Sequence, residues 1–88
     1  MRKSIGMVET RSLVGAIQAA DAMTKSADVK IINFTVVGSG IVSVIVEGDV
    51  AAVQSAVENG VLEAGKISEI ISYNVIPSPN SEVDKMIL

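Results

Sequence analysis

The segment Val37-Gly38-Ser39-Gly40-Ile41 places two glycines and a hydroxyl between two runs of β-branched residues. Such a segment could bind a phosphate, form a hairpin turn, or line a surface that several chains build together. A dinucleotide-binding fingerprint needs a third glycine three positions on and a helix opening there, and a P-loop needs Gly-Lys-Ser/Thr. Here Ser43 stands in that position and a strand-like run follows. The context favours a hairpin turn in which the glycines adopt positive φ.

Residues suited to catalysis are few. The chain contains no cysteine and no histidine, which excludes disulfides, zinc sites of the usual Cys/His kind and the common nucleophile–base pairs. Glu9 with Asp49, or Glu47 with Asp49, could form a carboxylate pair, but the latter two flank a turn and are better explained as a solvated turn and a helix cap. Ser39 has no candidate base nearby in sequence, and nothing local would activate a lysine amine. We therefore expect no enzyme activity, no cofactor and no metal site.

Length and composition favour an oligomer. The chain has 88 residues, is 49% hydrophobic with a mean hydropathy of +0.50, and contains one Phe and one Tyr. One domain over residues 1–88, with a tail from about residue 80, buries only about 60–65% of its unfolded surface. Without disulfides or zinc, oligomerisation is the natural source of further stability. A chain dominated by Val, Ile and Ala suits flat, closely packed layers.

Charge and hydropathy limit the partners. Seven basic residues oppose ten acidic ones, and no basic cluster is longer than Arg2-Lys3, so binding to nucleic acid is disfavoured. No apolar run approaches the ~20 residues that cross a bilayer. The N-terminal Arg2-Lys3 is followed by no sustained apolar stretch, which argues against a secretory signal. We expect a cytoplasmic protein that does not bind membranes.

Hydrophobic periodicity predicts an α+β fold with the order β-α-β-β-α-β. This is the ferredoxin-like split βαβ plan, in which a four-stranded antiparallel sheet carries two helices on one face. The strands are predicted over 3–8, 29–37, 41–46 and 67–76, the helices begin at Leu13 and after Asp49, and a short tail helix is predicted over 81–88. Thr10, Arg11 and Ser12 supply cap candidates for the first helix, and Asp49 is the expected cap of the second.

Each helix shows an apolar stripe for packing on the sheet. Gly60 interrupts the second stripe, either because another element packs closely there or because the helix breaks. The strands carry adjacent apolar residues that point to opposite faces, so the face without helices should be covered by the tail or by other subunits. The first stripe comprises Leu13, Ala16, Ile17, Ala20, Met23 and Ala27, and the second comprises Val50, Val53, Val57, Val61 and Ala64.

A polar string lies at the end of the first helix. Asp21 and Lys25 have the acid-first i,i+4 spacing of a favourable pair. The string is either a solvated C-terminal turn or a polar contact edge between subunits, and periodicity does not choose between them. Its members are Asp21, Lys25, Ser26, Asp28 and Lys30.

Three longer segments together resemble the single-domain bacterial microcompartment shell proteins. These are IGMVETRSLVGAIQAADAMTKSADV, VVGSGIVSVIVEGDVAAVQSAVENG and ISYNVIPSP. The resemblance covers residues 4 to about 79 and is strongest to shell hexamers of metabolosomes such as those for propanediol or ethanolamine use. Carboxysome members commonly have a basic residue after Gly-Ser-Gly, where this chain has Ile41.

The resemblance implies a flat homohexamer that tiles into the facets of a microcompartment shell, together with other shell proteins and around encapsulated enzymes. It assigns Gly38, Ser39 and Gly40 to a central pore for small polar metabolites. It also assigns Lys25, with Asp28 and Ser78, to the edge where hexamers meet. The expected location is a bacterial microcompartment in the cytoplasm.

Three positions depart from the family pattern. The family usually ends its fourth strand with VIPRPH, and its arginine reaches across the seam between hexamers, whereas this chain has Ser78. Many relatives place a lysine at the position of Val36 and an arginine at that of Glu47. Both latter changes make the chain more acidic and leave the hairpin neutral.

A different reading of the same fold remains open at this point. An oligomeric, ferredoxin-like regulatory domain would bind a small molecule at a subunit interface. Ordered hexagonal arrays in electron micrographs would favour the shell protein, whereas saturable ligand binding in calorimetry would favour the regulatory domain.

Overall fold

The structure, a computed structural model, describes residues 3–77. Its elements have the predicted β-α-β-β-α-β order, and the α+β prediction is confirmed. The tail helix predicted over 81–88 and Ser78 lie outside the described residues. The elements are β1 (Ser4–Thr10), α1 (Leu13–Ser26), β2 (Lys30–Gly38), β3 (Ile41–Gly48), α2 (Val50–Ala64) and β4 (Ile70–Ile76).

The four strands form one antiparallel sheet in the order β2-β3-β1-β4. β1 and β3 are therefore central, and β2 and β4 form the two edges. In register, Val8 of β1 faces Val44 on one side and Tyr73 on the other. Register shifts interrupt the β2–β3 pairing between Ile31 and Asn33 and again near the hairpin. Each shift is typical of a bulge, which bends an edge strand.

Both helices pack on one face of the sheet. A Cβ atom on Gly6 would lie 2.6 Å from Cγ2 of Val57, so α2 rests directly on β1 at this residue. Val8, Val44 and Val46 are fully buried beneath the helices. The core is therefore a thin aliphatic layer between the sheet and two closely placed helices.

The buried stripe of α1 differs from the predicted one. Leu13 and Ile17, expected in the core, have exposed fractions of 53% and 54%. Small residues on the neighbouring face allow the helix to approach the sheet and α2, and this turns the larger side chains outward. The buried residues of α1 are Gly15, Ala16, Ala19, Ala20 and Met23.

Gly60 marks a close contact between the helices and does not break α2, which continues to Ala64. A Cβ atom at position 60 would lie 2.7 Å from Cγ of Met23. Of the two predicted alternatives, close packing is therefore confirmed. Val50, predicted in the buried stripe of α2, is exposed instead, because it occupies the first turn at the end of the sheet.

The two helices begin differently. Ser12 caps α1 as predicted: its Oγ accepts a hydrogen bond from the Gly15 N–H at 3.0 Å and shares another with the Ser68 hydroxyl at 2.9 Å. Asp49 occupies the N-cap position of α2, but its side chain makes no capping hydrogen bond. The end of α2 also explains why β4 starts at Ile70 and not at residue 67, because the Ser68 N–H still bonds to the Ala64 carbonyl at 2.9 Å.

The face without helices carries apolar residues, as predicted, together with polar residues that were not predicted there. Its register positions include Ile5, Met7 and Ile45, but a polar row crosses all four strands near the hairpin end. In this row the Ser72 hydroxyl donates to the Glu9 carboxylate. The row comprises Thr35, Ser43, Glu9 and Ser72. Within residues 3–77, no helix is long and apolar enough to cross a membrane.

Candidate functional site

The turn between β2 and β3 contains two residues, not the predicted three. Gly38 still pairs with Ile41 in the sheet, so only Ser39 and Gly40 form the turn. The φ angles are +52° at Ser39 and +79° at Gly40. Positive φ at both central positions is typical of a type I′ hairpin turn, whose twist matches that of the strands. The predicted hairpin is thus confirmed.

Ser39 adopts a conformation that the sequence did not predict. Among residues 3–77, Ser39 is the only residue other than glycine that has a positive φ angle. Such residues are uncommon outside Gly, Asn and Asp, because Cβ then crowds the backbone. Gly38, at φ +131°, adopts an angle that is also rare for L-residues. Three consecutive residues therefore hold the hairpin tip in a backbone conformation that few sequences allow.

The hairpin tip projects into open space at one end of the sheet. Residues 34–40 are all exposed, and a Cβ on Gly38 would meet no atom of residues 3–77 within 4 Å. On the other side, a Cβ on Gly40 would lie 3.5 Å from the Arg11 carbonyl oxygen, so the tip contacts the backbone that follows β1. No acidic or basic side chain occurs between Lys30 and Glu47. The tip can therefore offer backbone groups and one hydroxyl, without a fixed charge.

Two of the predicted edge residues, Lys25 and Asp28, lie at the opposite end of the sheet. The Asp28 carbonyl oxygen is 3.0 Å from the Cβ position of Gly48, and Gly48 pairs with Ser4 at the start of β1. The hairpin, in contrast, lies at the end where Thr10 pairs with Val42. A single protomer thus carries the two predicted sites at opposite ends, and Ser78, the third edge residue, lies beyond the described range.

Lys25 is held by its own helix. Its Nζ is 3.0 Å from Oδ2 of Asp21, which confirms the predicted i,i+4 pair, and its side chain is 76% exposed. Both residues border a shallow cavity of about 340 Å³ between α1 and α2 that Asn59 and Glu63 also line. The exposed end of α1 is therefore a polar surface. This agrees both with a solvated C-terminal turn and with a polar contact edge between subunits.

Of the carboxylate pairs considered for catalysis, Glu9 and Asp49 do not come together. Glu9 lies at the hairpin end of β1, whereas Asp49 follows β3 at the other end. Glu47 faces Lys30 across β2 and β3. Lys66 pairs with Glu63 at 2.9 Å. No cluster of three or more acidic residues suited to a metal occurs within residues 3–77.

Large apolar side chains are exposed along both edges of the sheet. The β2 edge exposes four of them, and the other side of the protomer exposes a second group on β4 and the nearby helix ends. Such surface exceeds the scattered apolar residues of a monomer and is typical of an interaction surface. The first group is Ile31, Phe34, Val36 and Val37, and the second is Leu62, Ile67, Tyr73 and Ile76; α1 exposes Leu13, Val14 and Ile17 in addition.

A family model, the BMC domain, matches residues 4–79 of this sequence. The match covers both helices, all four strands and the hairpin. The chain therefore belongs to the BMC domain family.

Named relatives agree with this assignment. The chain is 45% identical over 86 residues to the bacterial microcompartment shell protein PduA of Salmonella typhimurium (strain LT2), covering 98% of this chain and 92% of that protein. It is 40% identical over 84 residues to the shell protein EutM of Escherichia coli (strain K12), with 96% and 87% covered. The carboxysome shell protein CsoS1A of Hydrogenovibrio crunogenus is 40% identical over 85 residues, with 96% and 88% covered. The predicted resemblance is confirmed.

A solved structure has the same fold. The crystal structure of a microcompartments protein from Desulfitobacterium hafniense superimposes with a TM-score of 0.85 at 37% sequence identity. The superposition covers 94% of this chain and 45% of that one, so this chain spans somewhat under half the length of the solved protein.

Proposed function

We propose that this chain is a structural shell protein of a bacterial microcompartment, which forms cyclic homohexamers that tile into the facets of the shell. The observation that carries the proposal is the pair of exposed apolar edges on opposite sides of a flat protomer, whose Cα atoms extend over 36 × 26 × 15 Å. Two different surfaces that pair head to tail generate a ring when the rotation closes. That the ring contains six protomers is taken from the family resemblance.

The ring would use the β2 edge of one protomer against the β4 side of the next. Phe34 and Val36 on the first edge and Tyr73 on the second are exposed in the protomer and would be buried in the ring. Burying this surface would supply the stability that an 88-residue chain lacks alone. Enzymatic activity is not part of the proposal, since the named relatives are shell proteins.

The conduit of the ring would be lined by Gly38, Ser39 and Gly40. These residues project freely at one end of the sheet and carry no charge. Six hydroxyls and the neighbouring backbone amides would hydrogen-bond to small polar solutes, whereas a narrow polar ring resists bulky or strongly apolar ones. Such a pore would admit polar substrates and retain a reactive carbonyl intermediate.

The outer rim of the ring would carry Lys25, Asp28 and Ser78 where hexamers meet. Lys25 and Asp28 lie at the end of the protomer away from the hairpin, which supports a central hairpin and a peripheral lysine. Ser78 stands where the family commonly has arginine, so each seam lacks a multi-donor side chain. Exposed polar contacts are worth about 1 kcal/mol or less each, but six copies act on every hexamer. We expect weaker or more curved tiling than in arginine-bearing relatives.

Other shell proteins and, indirectly, the enclosed enzymes would be the partners, and the microcompartment in the cytoplasm would be the location. Native mass spectrometry and electron microscopy of the purified protein test the assembly. Hexamers that form sheets, tubes or hexagonal arrays are expected. Saturable small-molecule binding in calorimetry, without hexamers or arrays, would instead favour the regulatory domain and overturn the proposal.

Three variants separate the pore from the rim. Ser39→Leu should leave hexamers and arrays intact but reduce entry of a polar substrate into assembled compartments. Lys25→Ala should leave hexamers intact but abolish ordered arrays. Ser78→Arg should flatten or strengthen the arrays; unchanged assembly and curvature would refute the role given to that position.

A further inference from the structure

The polar row on the face without helices takes no part in the contacts proposed for the ring. Ser43 of β3 pairs with Thr35 of β2, and both lie only a few residues from the hairpin turn. Val42 and Val44 belong to the buried core, so Ser43 between them points to the face without helices, and its paired residues point with it. The row is therefore a line of polar groups on one face of the sheet, close to the hairpin.

Ser43 carries a buried hydroxyl that the row does not satisfy. The residue is 7% exposed, yet within residues 3–77 its hydroxyl takes part in no hydrogen bond. Buried polar groups almost always have a hydrogen-bond partner, because a group that loses water without gaining a partner is costly. A molecule bound at the row would supply the partner that Ser43 lacks.

Glu9 places a charged acceptor beside this hydroxyl, since the two residues are directly paired across β1 and β3. Oε1 of Glu9 accepts a hydrogen bond from the Ser72 hydroxyl, which holds the carboxylate in the row. The second oxygen, Oε2, accepts none from residues 3–77. Two adjacent groups, one carboxylate oxygen and one hydroxyl, are thus open to a ligand.

The chemistry of these two groups selects the ligand. A carboxylate oxygen only accepts hydrogen bonds, whereas a serine hydroxyl both donates and accepts. One alcohol group can donate to Glu9 while a second on the same molecule bonds to Ser43, because neighbouring strands are about 4.8 Å apart. Glu9 would repel an anion, and residues 3–77 contain no cluster of three or more acidic residues suited to a metal. A neutral molecule with at least two hydroxyl groups fits best.

We propose that the polar row binds small polyols, with one hydroxyl donating to Oε2 of Glu9 and another bonded to Ser43. The row is complete within one protomer, so binding itself does not require the ring. Its place in the shell rests on the proposed function, in which six rows would surround one mouth of the conduit on the face without helices. Polyols held there would meet the conduit at a raised local concentration.

The test is a titration of the purified protein with glycerol, followed through the NMR chemical shifts of the Glu9, Ser43 and Ser72 backbone amides. These shifts should saturate with glycerol, whereas propan-1-ol, with the same carbon chain and a single hydroxyl, should bind at least about fivefold more weakly. Ser43→Ala should weaken glycerol binding about fivefold, the equivalent of one hydrogen bond. Glu9→Gln should weaken it at least as much, because a neutral amide oxygen accepts less strongly than a carboxylate.

Glu58→Gln is the matched control for the loss of charge, because Glu58 is exposed on α2 and lies across the sheet from the row. It should leave glycerol binding unchanged, and amide shifts outside the row, compared without glycerol, check that each variant folds. If Ser43→Ala or Glu9→Gln binds glycerol as tightly as Glu58→Gln does, the inference is overturned. Tighter binding of methylammonium than of glycerol would also overturn it, because the row would then be a site for cations.

Failure of the proposed function would look different, since native mass spectrometry would then detect no hexamer. Glycerol binding at the row without hexamers would support the polyol site and refute only its place at a conduit. Hexamers that form arrays but bind glycerol no better than propan-1-ol would refute only the role of the row.

Discussion

The contact between α1 and α2 and the tip of the β2–β3 hairpin both depend on glycine, for opposite physical reasons. At Gly60 the backbone is helical and the space is full, because a Cβ would lie 2.7 Å from Cγ of Met23. At Gly38 none of the described residues occupies the space that a Cβ would need, but φ is +131°. The first position is limited by packing and the second by backbone conformation.

The difference shows which parts of the molecule one chain completes by itself. Residues of the same protomer, chiefly Met23, leave no room for a further methyl group at the contact between the helices. Within residues 3–77 the hairpin tip has no neighbours on its open side, so whatever fills that space lies beyond the described part of the chain or in another molecule. This contrast is what we expect if the core serves folding and the hairpin serves assembly and passage.

The largest expected effect tests the packing at Gly60. Met23 is fully buried, and Met23→Ala should lower the free energy of unfolding by about 3 kcal/mol. Gly60→Ala alone should cost about 1 kcal/mol, because overpacking against Met23 outweighs the gain in helix propensity. Denaturant unfolding at one fixed protomer concentration measures both, since association also stabilises the fold.

The double variant is the control for this packing. Once Met23 is shortened, the nearest atom to a Cβ at position 60 is the Ala19 carbonyl oxygen at 3.5 Å, an ordinary contact. Gly60→Ala should then stabilise the Met23→Ala background by up to about 1 kcal/mol. Costs that simply add would show that close packing is not why glycine occupies this position.

The second effect tests the backbone at Gly38. Gly38→Ala should cost about 2 kcal/mol, although a new methyl group would meet open space, because L-alanine disfavours φ near +131°. Unfolding of a chemically synthesised chain with D-alanine at this position is the control. Inverted chirality favours positive φ, so D-alanine should recover most of the loss. An equal loss with both enantiomers would point to a steric cause instead.

The same contrast explains what could be predicted from the sequence. The order of elements follows from the change between alternating and helical periodicity, and it was predicted correctly. The buried side of α1 was predicted only in part. Ala16, Ala20 and Met23 are buried as expected. Hydrophobicity also selects Leu13 and Ile17, which are exposed, whereas close approach selects Gly15 and Ala19. Small residues give a weak hydrophobic signal, so a helix that packs through them is easily assigned the wrong face.

At the candidate site, local information was sufficient for the hairpin but not for its surroundings. Gly-Ser-Gly between two β-branched runs predicts a turn with positive φ at the glycines. The positive φ of Ser39 depends on the pairing of Gly38 with Ile41, which shortens the turn. At the end of β1, Nε of Arg11 lies 2.9 Å from Oε1 of Glu69, and this ion pair joins residues 58 positions apart. It depends on how β1 and β4 come together, and nothing near either residue in the sequence signals it.

A smaller effect tests whether the hydrogen bonds of Ser12 stabilise the hairpin end of the protomer. Ser12 caps α1 and bonds to Ser68 where β1, α1 and β4 meet, so Ser12→Ala should cost about 1 kcal/mol of unfolding free energy. Asp49→Ala is the matched control, because Asp49 occupies the same position of α2 without a capping hydrogen bond. Its loss should be about 0.5 kcal/mol or less, from the helix dipole alone. Equal losses would show that the Ser12 hydrogen bonds do not stabilise this end.

The smallest effect concerns Ser39 and brings stability and function into direct comparison. Asparagine accepts left-handed backbone more readily than serine, so Ser39→Asn should stabilise the protomer by about 0.5 kcal/mol in denaturant unfolding. Ser39→Val should destabilise it by about 1 kcal/mol, because a β-branched residue is least tolerant of φ near +52°.

A gain with asparagine would mean that serine is not the most stable residue for this turn. If Ser39→Asn also lowers the entry of a polar substrate into assembled compartments, the small hydroxyl at position 39 is explained by passage through the pore rather than by folding. If it stabilises the turn and leaves entry unchanged, the hairpin backbone alone lines the conduit and the side chain of Ser39 has no part in selectivity.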